Sequence, residues 1–164
     1  MSPVAPLTGY MVDTNVFDRI LDGTVAMTAI DGPVYTTSIQ RDEISAISNE
    51  EKRTLLLAIF HGSIKVNTPV GVWGVSSWDE ANFGTPEQND FAEKFAAELL
   101  AADRASGKRT KDPLANSMRD ALIAITARER GLVLITGDGN LETLASRHGI
   151  RTRFIQQPPA ISSS

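Results

Sequence analysis

The stretch "GYMVDTNVFDRI", residues 9–20, decides the reading of this chain. Its apolar pair Met11 and Val12 runs straight into Asp13, then Thr14 and Asn15, before the chain turns apolar again at Val16 and Phe17. "GYMV" has the make-up of a short strand. "NVFDRIL" opens a helix that stops at Asp22-Gly23, a turn signal. A carboxylate at such a junction is either a helix cap or the first piece of a site. The choice depends on whether other acids arrive at equivalent places later in the chain.

The rest of the chain alternates in the same way. "PVYTTSI" reads as a second strand, rich in β-branched residues. From about Gln40, "RDEISAISNEEKRTLLLAIFHG" has helical periodicity, broken at Ser48-Asn49 and stopped at Gly62. "SIKVN" is a further short strand. Two long helices follow, "PEQNDFAEKFAAELLAADRAS" and "PLANSMRDALIAITARERG", ended by Gly107 and Gly131. "LVLIT" is a continuous apolar strand of the buried parallel kind, "NLETLASRHG" a short helix and "IRTRFI" a last strand. Residues 67–85, which hold Trp73 and Trp78, show no clear period. Such alternation implies an α/β domain around a mainly parallel sheet. We expect one domain over residues 1–164, with its core in 7–156 and short frayed tails. Right-handed crossovers then place all strand C-termini on one edge, where ligands bind in such folds.

Composition bounds the function. The formal charge is −4, from 16 basic and 20 acidic side chains, so no general basic footprint advertises nucleic-acid binding. Cysteine is absent, which excludes disulfides and thiolate metal sites and fits a reducing cytoplasm. No apolar run approaches the length of a membrane helix, and "MSPVAPLTGY" lacks the features of a signal peptide.

Four acids answer the opening question. Asp13 follows the first strand, and Asp138 follows "LVLIT" after Thr136 and Gly137. Glu43 follows the second strand near the start of a helix. Asp120 lies in the first half of the helix that feeds "LVLIT", beside the apolar run "ALIAITA". If that face is buried, an acid there is costly unless ligated or hydrogen-bonded. His61 and His148 sit beside Gly62 and Gly149 at helix ends and do not join the four. Oxygen ligands without imidazole or thiolate suit a hard cation such as Mg²⁺ or Mn²⁺. Taken singly, each acid can equally be a cap, a turn residue or a solvated charge. Asp103 and Asp112 are read in that plain way, as solvated faces, caps or turns.

These motifs resemble the PIN-domain ribonucleases, and within them the VapC-type toxins of bacterial toxin–antitoxin pairs. The resemblance runs in order through "DTN" (Asp13-Thr14-Asn15), "YTTSIQRDEISAI" with Glu43, "DALIAITARERGLVLIT" with Asp120, and Thr136-Gly137-Asp138. It departs from the pattern at Asn140, where many relatives carry a further acid. It implies a three-layer α/β/α domain and metal-dependent hydrolysis of RNA that leaves 5′-phosphate and 3′-hydroxyl ends. Asp13, Glu43, Asp120 and Asp138 would hold Mg²⁺ or Mn²⁺ and activate water. Asn15, Thr136 and Asn140 would orient those carboxylates. It also implies an antitoxin partner and a homodimer.

Lys108, Arg109 and Lys111 of "GKRTK" form the densest basic run. They either reach RNA phosphates or form a solvated loop. Trp73 and Trp78 either stack on bases or pack in the core or at a dimer contact. Two rival functions remain. A haloacid-dehalogenase-like phosphatase would use "VDTN" and "GDGN" but has Asn15 where its general acid belongs, and it leaves Glu43 and Asp120 idle. A catalytically inactive PIN-like binding module is the other.

Overall fold

The computed structural model describes residues 8–23, 30, 32–66, 86–108 and 112–155. In chain order the elements are β1 (Tyr10–Val12), α1 (Thr14–Leu21), β2 (Val34–Thr36), α2 (Ser38–Ser45), α3 (Glu50–His61), β3 (Ile64–Lys65), α4 (Pro86–Ala105), α5 (Pro113–Arg130), β4 (Val133–Thr136), α6 (Gly139–Arg147) and β5 (Thr152–Phe154). The five strands form one sheet in the order β3-β2-β1-β4-β5, and every pairing is parallel. The expected α/β class is therefore the one observed, with a sheet that is wholly parallel among the described residues. Among them, no helix is long and apolar enough to cross a membrane.

β1 separates two cores, because successive strand residues point to opposite faces. Met11 packs with Leu134 and with the inner faces of α4, α5 and α6, which contribute Phe95, Leu99, Leu122 and Leu144. Val12 packs on the other face with Ile135, Val16 and Phe17 of α1, and Leu56 and Phe60 of α3. The result is a three-layer sandwich, and each central strand supplies residues to both cores. The register Met11↔Leu134 and Val12↔Ile135 keeps like-facing residues side by side.

The chain visits β1, β2 and β3 on one side of the sheet, then β4 and β5 on the other. The strand order therefore reverses between β1 and β4, which opens a crevice at their C-terminal ends. Three helices begin at this edge, each capped by a residue one or two positions after a strand. Asp13 caps α1, Thr37 caps α2 and Asp138 caps α6.

The second strand is shorter than its β-branched composition suggests. It ends at Thr36, and "SI" already belongs to α2. A capping box overrides the propensity. Gln40 Oε1 accepts from Thr37 N–H at 2.8 Å and from Thr37 Oγ1 at 2.5 Å, while Thr37 Oγ1 accepts from Ile39 N–H at 3.1 Å. Gln40 is fully buried, and its Nε2 donates to the Val12 carbonyl at 2.9 Å. One side chain thus fixes the start of α2 and ties it to the end of β1, directly before Asp13.

Gln40→Leu should remove this tie and leave the Val12 carbonyl buried without that donor. We expect a loss of about 1–3 kcal/mol of stability, seen as a lower urea midpoint with an unchanged slope. An unchanged midpoint would show that the tie carries no weight.

Candidate metal-dependent hydrolytic site

Asp13 is the N-cap of α1 and is also held from the end of β4. Its Oδ1 accepts from Thr14 N–H at 2.7 Å, and its Oδ2 accepts from Thr136 Oγ1 at 2.9 Å. The side chain is only 5% exposed. Burial pushes its pKa from 3.8 up to about 6; the Thr136 hydrogen bond opposes this, and the charge of Asp138 adds to it. Glu43 lies in the second turn of α2, deeper in the helix than its strand-proximal reading suggested, because α2 starts at Ser38. Burial, then the charge of Asp13, raises it from 4.5 to about 7, against the opposing pull of Arg119. Its Oε1 is buried without a hydrogen-bond partner.

Asp120 is buried on α5, 8% exposed. Desolvation, then the charges of Asp13 and Glu43, hold it well above the ordinary carboxylate value. Asp138 emerges after β4, and its Oδ1 accepts from the N–H groups of Asn140 (3.0 Å) and Leu141 (3.3 Å) at the start of α6. The four acids of the sequence reading therefore lie near enough for each to act on the charge of others.

Their supports are only partly as expected. Thr136 bridges the site: its hydroxyl donates to Asp13 and accepts from Asp138 N–H at 3.0 Å. Asn15 Oδ1 accepts from Gly137 N–H at 3.3 Å. Asn140 turns elsewhere, with Nδ2 donating to Asp103 Oδ1 at 2.9 Å and to Ser106 Oγ at 3.0 Å. Its side chain positions Asp103 rather than one of the four acids.

Asp103 itself corrects the sequence reading. It is 8% exposed, not a solvated face. Its position was legible, since Ala92, Phe95, Ala96, Leu99 and Asp103 continue one buried stripe of α4. Lys108, from the basic run, lies among these acids. Its ammonium lies 2.5 Å from Asp138 Oδ2 and 3.8 Å from Asp103 Oδ2, so it faces the acids. Burial lowers its pKa, but the hydrogen bond and charge of Asp138, with Asp103 and Asp120, outweigh this and raise it.

Arg109 and Lys111, with Trp73, Trp78 and the rest of 67–85, lie outside the described residues. Asp112 is the N-cap of α5 and accepts from Ala115 N–H at 3.2 Å. His148 contacts Glu98 at 3.2 Å and stacks against Phe91 and Phe95, apart from the acids.

The donor set suits a hard cation. The atoms are carboxylate oxygens, Glu43 Oε1 is buried and unpaired, and burial raises the pKa values of Asp13 and Glu43 even though the charges of Lys108 and Arg119 act against it. Among the described residues, however, no three acidic or imidazole side chains are placed so that they could hold a metal ion together as they stand. The outer oxygen of Asp138 is held by Lys108.

This all-parallel, three-layer arrangement with acids at the β1–β4 reversal is a PIN-like fold. It matches the structure of VapBC-1 from nontypeable Haemophilus influenzae at a TM-score of 0.50 and 12% identity, over 90% of this chain and 98% of that one. Weaker likenesses are to VapBC-5 from Mycobacterium tuberculosis, a member of the VapBC family of toxin-antitoxin systems (23% identity, 93% and 100% coverage, TM-score 0.40), and to FitAcB from Neisseria gonorrhoeae (17%, 89% and 96%, 0.39). Neither family models nor curated proteins give a match. At these identities the likeness is one of fold.

The raised acids make a pH prediction. The folded chain holds protons on Asp13 and Glu43 up to about 6 and about 7, whereas the unfolded chain releases them near 3.8 and 4.5. Folding then binds protons, so metal-free stability falls as pH rises from about 4 to about 7. Glu43→Gln should flatten that fall. Urea titrations at pH 4.5 and 7.5 measure it, and equal pH slopes in both proteins would refute it.

Proposed function

We propose that this chain is a metal-dependent endoribonuclease of the toxin–antitoxin type. The observation that carries the reading is the grouping of Asp13, Glu43, Asp120 and Asp138 at the topological switch of a parallel sheet. Grouping four mutually repelling carboxylates, with Asp13 and Asp120 buried, is costly for a fold that makes no use of them. The same grouping disfavours the phosphatase alternative, which gives Glu43 and Asp120 nothing to do.

Asp13, Glu43, Asp120 and Asp138 would hold Mg²⁺ or Mn²⁺, which when bound supplies Lewis acidity at a phosphodiester and offsets negative charge developing on its oxygens. The chain's own groups do the positioning. Thr136 and Thr14 N–H fix the Asp13 carboxylate through one hydrogen bond to each oxygen. The first turn of α6 fixes Asp138 through Oδ1, while Oδ2 is bound by Lys108. Arg119, whose charge acts on Glu43, offsets part of the local negative charge. RNA is the proposed substrate. A small antitoxin protein, a second copy of the chain and a cytoplasmic setting complete the reading; their support is the likeness of fold to VapBC-1.

Asp13→Asn and Asp120→Asn should each abolish RNA cleavage with circular dichroism unchanged. Full cleavage by either variant would remove that residue from the site. Phosphomonoester hydrolysis that needs Asp13 but neither Glu43 nor Asp120 would favour the phosphatase. Mn²⁺ should raise the melting midpoint, by about 2.7 kcal/mol of stability at a hundredfold excess over its Kd, and Asp138→Asn should lose most of that gain. A growth arrest caused by the chain should be relieved by co-expressing the small gene beside it. A harmless chain that still cuts RNA would defeat the toxin assignment alone.

A further inference from the structure

Asp138 divides its two oxygens between two partners. Oδ1 is bound by the N–H groups of Asn140 and Leu141. Oδ2, the oxygen left for a cation, is bound by Lys108 at 2.5 Å. The backbone aims Lys108 there. At the C-terminus of α4, Gly107 is left-handed with φ +77°. Lys108 N–H bonds the Asp103 carbonyl at 2.9 Å, and Gly107 N–H bonds that of Arg104 at 3.2 Å. This is the Schellman arrangement, and it returns the chain over the helix end, where Asp103 lies. Asp103 in turn is held by Asn140 from the first turn of α6. A half-exposed lysine is thus built into the acid cluster from α4, while Asn140 braces the same corner from α6. The Lys108 charge acts on Asp13 and Asp120 as well as on Asp138.

We propose that Lys108 is the resident counter-cation of this cleft, occupying the outer oxygen of Asp138 in the metal-free protein and yielding it when a divalent ion enters. An ammonium and a divalent ion compete for the same lone pairs, and their like charges repel at short range. Lys108 therefore has two opposed effects. It offsets the repulsion among the acids and so supports the metal-free fold. It also weakens the divalent ion, because its charge-assisted bond must be broken first. Affinity for the ion is set by this residue from outside the ligand set. The inference rests on the metal-site reading above and adds the group that tunes it.

The test compares Lys108→Met, which keeps the apolar stem, and Lys108→Arg, which keeps the charge, with the unaltered protein. Mn²⁺ binding is measured by calorimetry and melting midpoints are taken with and without Mn²⁺. Lys108→Met should melt lower without the ion yet bind Mn²⁺ about tenfold more tightly, the scale set by one charge-assisted bond no longer broken. Lys108→Arg should stay within a few-fold of the unaltered affinity. A lysine that merely capped α4 would lower the midpoint and leave the affinity unchanged. Equal or weaker binding by Lys108→Met, with the unaltered protein binding Mn²⁺, overturns the inference and leaves the metal site standing. No binding by either protein at millimolar Mn²⁺ overturns both. Should Lys108→Met not fold, the unaltered protein decides: saturating Mg²⁺ should shift the Lys108 ammonium resonance in ¹⁵N-lysine spectra. A resonance unmoved while Mg²⁺ binds overturns the proposal.

Discussion

The Thr136 hydroxyl is the small contact on which the crevice depends. It donates to Asp13 Oδ2 and accepts from Asp138 N–H. One oxygen atom thereby joins the end of β1, the end of β4 and the start of α6. The sheet prepares the contact: Val12 pairs with Ile135, so the next residues along, Asp13 and Thr136, are brought level. Asp13 N–H also bonds the Ile135 carbonyl at 3.0 Å, which carries the pairing one step past the strand. Backbone register and side-chain chemistry here are one constraint.

From that junction the charge problem follows. Helix N-termini favour carboxylates, and both Asp13 and Asp138 take that stabilisation. Burial works against it, and it is the largest influence on Asp13, Glu43 and Asp120 alike. The fold answers with two positive groups from different elements, Lys108 beyond α4 and Arg119 on α5. Both come from the α4–α5 layer, while the acids come from the end of β1, α2, α5 and the approach to α6. The α4–α5 packing that builds one core therefore also sets the electrostatics of the cleft.

Much of this was legible along the chain. The strand–helix alternation, the stops at Gly62, Gly107 and Gly131, the break at Asn49 and the parallel sheet are all found in the structure. They were legible because punctuation and periodicity are local. What escaped was set by contacts across the fold. β2 stops early because Gln40, buried against β1, completes a capping box with Thr37, and this places Glu43 a turn deeper than expected. Asn140 and Lys108 were read by their neighbours in sequence, whereas their partners, Asp103 and Asp138, lie 37 and 30 residues away. Asp103 alone had a local signal, the apolar stripe of α4, and its charge hid it. Order and context group the four acids, and the way they act on one another's charge is visible only in three dimensions.

The brevity of β1 carries a consequence for how this chain can change over time. Within Tyr10–Val12, exchanging one apolar side chain for another of similar volume costs about 1.5 kcal/mol or less, which leaves the spelling of the strand fairly free. Its length is not free. Adding or deleting a single residue there would send Met11 and Val12 to each other's core, since strand side chains alternate strictly, and would carry Asp13 past Thr136. Drift in this segment is therefore expected to proceed by replacement and hardly ever by insertion or deletion. A three-residue strand can lose nearly all recognisable sequence and still count its residues to the same carboxylate.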